Sequence, residues 1–354
     1  MDDNKICGTC FKGICKSMCP DAEITMRINE NLVHFLEKSV QNGRLQVDQD
    51  LMVKEYSRPA AGKRDPEPCD LRPSDVLTQT VDYLLGSVSN REDVDWTDIY
   101  DFVFDRLRCV RQDMVIQDIG GSTGIAILEK IIRFHIYAGY RLCSEPFARF
   151  DPKINYQHTQ ECLKRLIYLY TVVPYNHDNR QEFESVYLLY NLGQSDALMH
   201  YYDLSDELRN SQLVKLCYRT SIEYMLGNRV RCLRFLNHNV CKKFPVLLCA
   251  IHRHLSSIQM QALLRMNTAY SSKASKFPIE KLVRLLSFSN VDEAVCQFKQ
   301  CGLKINDDKE NVHFLKGAFN CPAKDIHQHH EIIDSRISMD NLSKILLGKE
   351  HLPT

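Results

Sequence analysis

From residue 96 to about residue 266, apolar positions recur every three or four residues, in stretches ended by Gly, Pro or Asn-rich turns. That period places one apolar stripe on each of a series of helices. It predicts helices at 125–142, 158–172, 182–192, 212–226 and 229–237, among others. No strict period relates them, so the stretch reads as a degenerate helical repeat, in which each helix pair buries its stripe against the next.

Both ends have a different texture. The first 90 residues hold a cysteine-rich start, a helix-like stretch at 21–40 and a connection whose Pro59, Pro66, Pro68 and Pro73 forbid a continuous helix. That connection is expected to lie as an extended strap on a neighbouring surface. Asp75 is placed to cap a helix through Val76, Leu77, Thr80, Val81 and Leu84, ended by Gly86. After Lys273, the residues Phe277, Pro278, Leu282, Leu285 and Leu286 predict a short helix and 291–300 a second. LKINDDKENVHFLKG then predicts two strands around a polar turn. Helix, helix, hairpin is the layout of a winged helix. The expected organisation is 1–90 cysteine motif, short helix and strap; 91–270 helical repeat; 271–320 winged helix; and 321–354 tail, with one helix near 339–347.

Composition adds limits. With 354 residues, 44% apolar and 25% charged, the chain can bury a core and form two or three domains. The formal charge is zero, so only a local excess of one sign argues for a polyanionic partner. Fifteen cysteines follow a start, MDDNK, with no secretory pattern, which points to a reducing compartment. Cys162, Cys217 and Cys249 sit among apolar residues and read as core filler. The longest apolar run, 244–251, is far short of the roughly 20 residues of a membrane span.

Four segments carry a resemblance: GICKSMCPDAEITMR (13–27), EYSRPAAGKRDPEPCDLRP (55–73), FDRLRCVRQDMVIQD (104–118) and EKIIRFHIYAGYRL (129–142). FDPKINYQHTQECLKRLIYLY (150–170) and EFESVYLLYNLG (182–193) extend it. Together they resemble the SAC/GANP family of messenger-RNA export scaffolds and its short relatives. The resemblance implies a mostly α fold of stacked helical hairpins, a TPR-like right-handed array capped by a winged helix, as in the PCI-like subunits of the proteasome lid and the COP-nine signalosome. It also implies a non-enzymatic protein without cofactor, which binds protein partners. In long relatives this region grips a second PCI-type subunit, and paired winged helices contact nucleic acid. The motif residues, implied to be structural, are Cys15, Met18, Cys19, Pro20, Arg58, Pro59, Asp105, Arg106, Arg108, Arg111, Asp113, Gln117, Arg133 and His135.

The chain starts almost at the cysteine motif, leaving no room for Phe-Gly repeats, and ends about 30 residues past the expected winged helix. In this it is similar to the short stand-alone SAC-domain proteins of animals. The expected role is therefore in centrosome duplication, spindle assembly and mitotic progression, with a location in cytoplasm, centrosome, spindle and nucleus. The alternative is a nucleic-acid-binding adaptor in nuclear messenger-RNA export.

Candidate chemistry is sparse. Cys7, Cys10, Cys15 and Cys19 are spaced so that four thiolates could close a zinc site, although the alternative is a turn packed on the helices. Asp105 and Arg108 are placed to pair at i, i+3, on a segment that either orders the strap or forms an internal ion-pair scaffold. Between Lys215 and Arg265 nine Lys or Arg face one acid, Glu223, whereas 90–118 holds eight acids and four arginines. Arg229, Arg231, Arg234, Lys242, Lys243 and Arg253 in the first segment, with Lys281, Arg284 and Lys299 after it, form a candidate surface for RNA phosphates or for an acidic partner. GGSTG at 120–124 follows a helix and lacks the phosphate-loop lysine, so it reads as a helix connection. No acid, base and nucleophile have a recognisable spacing.

Overall fold

The computed structural model describes residues 12–60, 65–173, 177–239, 243–308, 310–315, 317–320, 328–338 and 342–348. Among them the chain is mostly helical, with five short strands. It divides into two compact units. One comprises Met1–Phe134, Lys164–Tyr175 and Leu342–Thr354, the other His135–Leu163 and Asn176–Asn341.

In the first unit, helix α1 (Asp21–Asn29) follows Pro20. The helical stretch expected to run to residue 40 stops there, and Asn31 takes a left-handed φ of 57°. After a 3-10 turn at Phe35–Glu37 comes a hairpin of β1 (Lys38–Gln41) and β2 (Arg44–Val47), with Val40 opposite Leu45. Its cause is the pair Asn42–Gly43, whose φ values of 51° and 72° form the two-residue turn that suits twisted strands. A strong local turn signal here overrides an ambiguous apolar spacing.

Helix α2 (Ser74–Gly86) begins one residue before the expected cap. Pro73 occupies the N-cap position, and Asp75 lies in the first turn, where its charge favours the helix dipole without making a cap hydrogen bond. Helix α3 (Trp96–Ile116) has a true cap, Asp95, which accepts from the Thr97 N–H at 2.9 Å. Helices α4 (Gly121–Arg141) and α5 (Pro152–Val172) follow, each divided between the two units, so GGSTG is a connection between helices. Polar groups buried with them are satisfied: the Tyr170 hydroxyl donates to Glu129 at 2.6 Å and Lys130 to Asp82 at 2.6 Å. The last helix, Leu342–Leu347, packs on α2, and Asn90 donates to Ser343 at 2.8 Å.

The second unit continues with α6 (Arg180–Tyr190), α7 (Ser195–Asp203), α8 (Asp206–Asn210), α9 (Gln212–Met225), α10 (Arg229–Leu233) and α11 (Pro245–Ala269). A tighter 3-10 turn, Arg234–Asn237, prolongs α10. Helix α6 packs on α9 and α11, and α9 packs on α7, α8 and α10, which is the stacked arrangement of a helical repeat array. Cys162, Cys217 and Cys249 are buried in the core. Then come β3 (Phe277–Pro278), α12 (Ile279–Leu286), α13 (Val291–Gln300), β4 (Lys304–Ile305) and β5 (Asn311–His313), the strands forming one antiparallel sheet in the order β3-β5-β4. Phe277 and Pro278 thus belong to a strand ahead of the helix and not to the helix itself. Helix α14 (Glu331–Ile337), with Ile333 buried, has no counterpart in the sequence pattern described above. Among the described residues no helix is long and apolar enough to cross a membrane.

Candidate partner and nucleic-acid interface

Helix α3 carries Arg106, Asp113 and Gln117 on one buried side. Arg106 donates to Glu55 at 2.8 Å and to Glu37 at 3.4 Å. Arg27 from α1 reaches the same two acids, bonding Glu37 directly and lying 3.1 Å from Glu55. The side chains of Arg27 and Glu37 are both 0% exposed. An ion pair so deep loses its hydration and persists only if its remaining atoms are also bonded. Glu37 meets that condition by accepting from the backbone N–H groups of Val53 at 3.0 Å and His34 at 3.1 Å, and Arg27 donates to the Val53 carbonyl at 3.2 Å. Burial alone would lower the Arg27 pKa, but Glu37 and Glu55 outweigh it and hold the guanidinium above its ordinary value.

A second cluster lies about two turns further on. Asp113 sits between Lys54 at 2.7 Å and Arg72 at 2.8 Å, while Lys54 also donates to the Asp70 carbonyl at 2.6 Å and Arg72 to the Met18 carbonyl at 3.3 Å. The Gln117 amide donates to the Arg72 carbonyl at 2.8 Å and accepts from the Gly13 N–H at 2.8 Å. Gly13 has to be glycine, because a Cβ there would stand 2.3 Å from the Leu71 carbonyl oxygen. The strap is therefore fastened to α3 by buried charges. The expected Asp105–Arg108 pair does not form. Asp105 instead accepts from the Tyr56 N–H at 3.1 Å and pairs with Arg106, while Arg108 lies over the Tyr56 ring at 3.8 Å. Tyr56 competes for both groups because the strap runs between them.

Other motif residues are placed less centrally. Arg58 and Pro59 are exposed and Arg111 is half-buried. Arg133 and His135 are buried on α4, the His135 Nδ1 lying 3.1 Å from the Asn155 side-chain oxygen. Cys7 and Cys10 lie outside the described residues. Cys15 donates to the Ser17 carbonyl at 3.3 Å, and Cys19 packs with Ile24 and Met52, where burial pushes its thiol pKa far up. Among the described residues, no three His, Cys, Asp or Glu groups are arranged to hold a metal.

The basic candidates separate into two sets. Arg229 is used internally: it donates to the Tyr224 carbonyl, its guanidinium lies 4.0 Å from the Tyr224 ring centre, and burial lowers its pKa. Arg253 is packed against Tyr156 and Tyr190 at 3.9 and 4.6 Å. Arg231, Arg234 and Lys243 are exposed, Arg231 with Glu223 at 3.3 Å, and Lys242 lies outside the described residues. Lys281, Arg284 and Lys299 are also exposed, with Arg284 near Glu280 at 3.8 Å and Lys281 5.9 Å from the Phe277 ring. The sequence reading missed Arg27, Glu37, Lys54, Glu55 and Arg72, whose partners are distant along the chain. Their one available signal is that charges stand between apolar neighbours that become buried.

A stacked-helix protein with a charge-locked N-terminal strap is the class that this geometry defines. The model of the SAC3/GANP family matches residues 18–307, and the chain belongs to that family. It is similar to SAC3 family protein 1 of Schizosaccharomyces pombe, at 28% identity over 96% of this chain and 35% of the relative. It is also similar to Protein xmas of Drosophila melanogaster, at 27% identity over 84% of this chain and 15% of that protein. SAC3 family protein B of Arabidopsis thaliana matches at 25% identity over 84% of this chain and 18% of its own length. The chain thus spans about a third or less of the length of these curated relatives.

Proposed function

We propose that this chain is a non-catalytic binding scaffold, in which the helical array receives a protein partner, a second PCI-type subunit, and residues 271–320 act as a winged helix beside it. The family match over 18–307 carries this reading. The β3-β5-β4 sheet packed with α12 and α13 supports the winged-helix part, because it supplies two adjacent helices and a hairpin.

The setting we infer is nuclear messenger-RNA export, with the module binding RNA. One observation favours it: Arg234, Lys243 and Lys299 are exposed and make no ion pair among the described residues, so their charge is available to phosphates. Residues that only solvate a helix would serve equally well if paired with acids. Charge reversal at Arg231, Arg234 and Lys243 tests the reading, with loss of RNA binding and an unchanged circular dichroism spectrum expected. The second reading, a centrosome and spindle role, rests on the resemblance to the short branch of the family. Proximity labelling in dividing cells separates the two, since export factors are recovered under the first and centrosomal proteins under the second.

A further inference from the structure

Helices α4, α5, α6 and α11 of the second unit surround a cavity of about 130 Å³, lined in part by Ile136, Gly139, Tyr156, Tyr190, Cys249 and Arg253. Arg253 Nη1 is buried and has no hydrogen-bond acceptor among the described residues, although the guanidinium also bonds the Tyr190 hydroxyl. Its guanidinium is pressed on the faces of Tyr156 and Tyr190, whose own rings stack with centres 5.6 Å apart. No carboxylate lines the cavity. A charged donor left unbonded in such a place is costly, more so than a neutral one.

The other buried arginine nitrogens without an acceptor, on Arg27, Arg106 and Arg229, are Nε atoms of guanidinium groups whose outer nitrogens are bonded. Arg253 differs because the unbonded atom is an outer nitrogen and the group faces a cavity. We propose that this cavity is a binding site for one short carboxylate, with Arg253 as its charge-assisted donor. One cation matches a monoanion. A phosphate dianion would leave one charge uncompensated beside Ile136 and Cys249, because His252, which lines the cavity with Asn155, has its Nε2 engaged 2.8 Å from the Gln328 carbonyl. Volume sets the length, since a cavity of ~150 Å³ accepts benzene, so this one takes a carboxylate with a few carbons. A free short acid and the end of a partner's glutamate share that chemistry.

Saturation-transfer NMR on the full chain tests the site, with propionate and N-acetylglutamate amide as probes and inorganic phosphate as competitor. Saturable transfer to propionate is expected, undisturbed by excess phosphate and weakened at least tenfold by Arg253→Met, whose side chain still fills the space between the rings. If that variant does not fold, Arg253→Lys keeps the charge but loses the planar fork, and a loss of severalfold is expected. Binding of both probes assigns the site to a partner's side chain, and binding of propionate alone assigns it to a free acid. Absence of saturable transfer, displacement by phosphate, or equal affinity in wild type and the folded variants overturns the proposal.

Discussion

At the scale of single residues, charge burial at the strap makes the sharpest claims. Glu37 is fully buried and accepts from Arg27, Arg106 and two backbone N–H groups, so Glu37→Gln removes the most buried of the carboxylates that hold the two guanidinium groups and leaves them to the more exposed Glu55. A loss of about 3–5 kcal/mol of stability is expected, the usual cost of stripping a buried charge of its partner, and urea unfolding of the variant measures it. His34 supplies a pH test. Its Nδ1 accepts from the Leu36 N–H at 3.3 Å and its ring lies against Phe102, so burial first, and then the nearby Arg106 charge, lowers its pKa from the ordinary 6.5. The folded chain therefore resists protonation that the unfolded chain accepts. Stability from this group is full above pH 6.5 and falls as the pH drops from there toward the lowered folded value. His34→Asn, which keeps a cap acceptor, should flatten that part of a melting-temperature profile, and an unchanged slope would contradict the assignment.

At the scale of elements, the strap is the part whose loss can be watched separately. The Ile14 and Cys15 amides bond to the carbonyls of Pro68 and Leu71 at 2.8 and 3.1 Å, in the place where Gly13 passes closest to Leu71. Gly13→Ala forces those strands of chain apart, so the amides of Ile14 and Cys15 should exchange hydrogen much faster while those of α9 keep their protection. Helices were legible in the sequence wherever an apolar stripe met a clear stop. The 291–300 expectation coincides with α13, and 212–226 misses α9 by one residue. The hairpin turn at Asn42–Gly43 was missed, because the apolar residues before it also fit a helical stripe. The buried network was not legible, because Glu37 and Arg106 are 69 residues apart and nothing local to either announces the other. Asp105 and Arg108 illustrate the converse: adjacent on the helix surface, they were each taken by a strap residue that sequence spacing cannot bring near.

At the scale of the whole molecule, a chain of zero net charge keeps its signs apart. Of the acids on α3, Asp105 and Asp113 are bonded by the strap, whereas the cations after α9 are partly left outside. Arg229 and Arg253 fall on the inner side of that division, so their removal should affect stability or the carboxylate cavity more than any long-range attraction. Arg231, Arg234 and Lys243 fall on the outer side. The central claim, that this outer surface holds RNA, is tested most directly by fluorescence anisotropy of a single-stranded RNA titrated at several salt concentrations, with and without a partner subunit. Each lost phosphate contact on a single strand lowers the slope of log K against log salt by about 0.7. The triple reversal Arg231→Glu, Arg234→Glu and Lys243→Glu should therefore cut the slope by about 2 and weaken binding sharply. Wild-type protein that binds no RNA in either form, or a reversal variant with unchanged affinity and slope, would contradict the account.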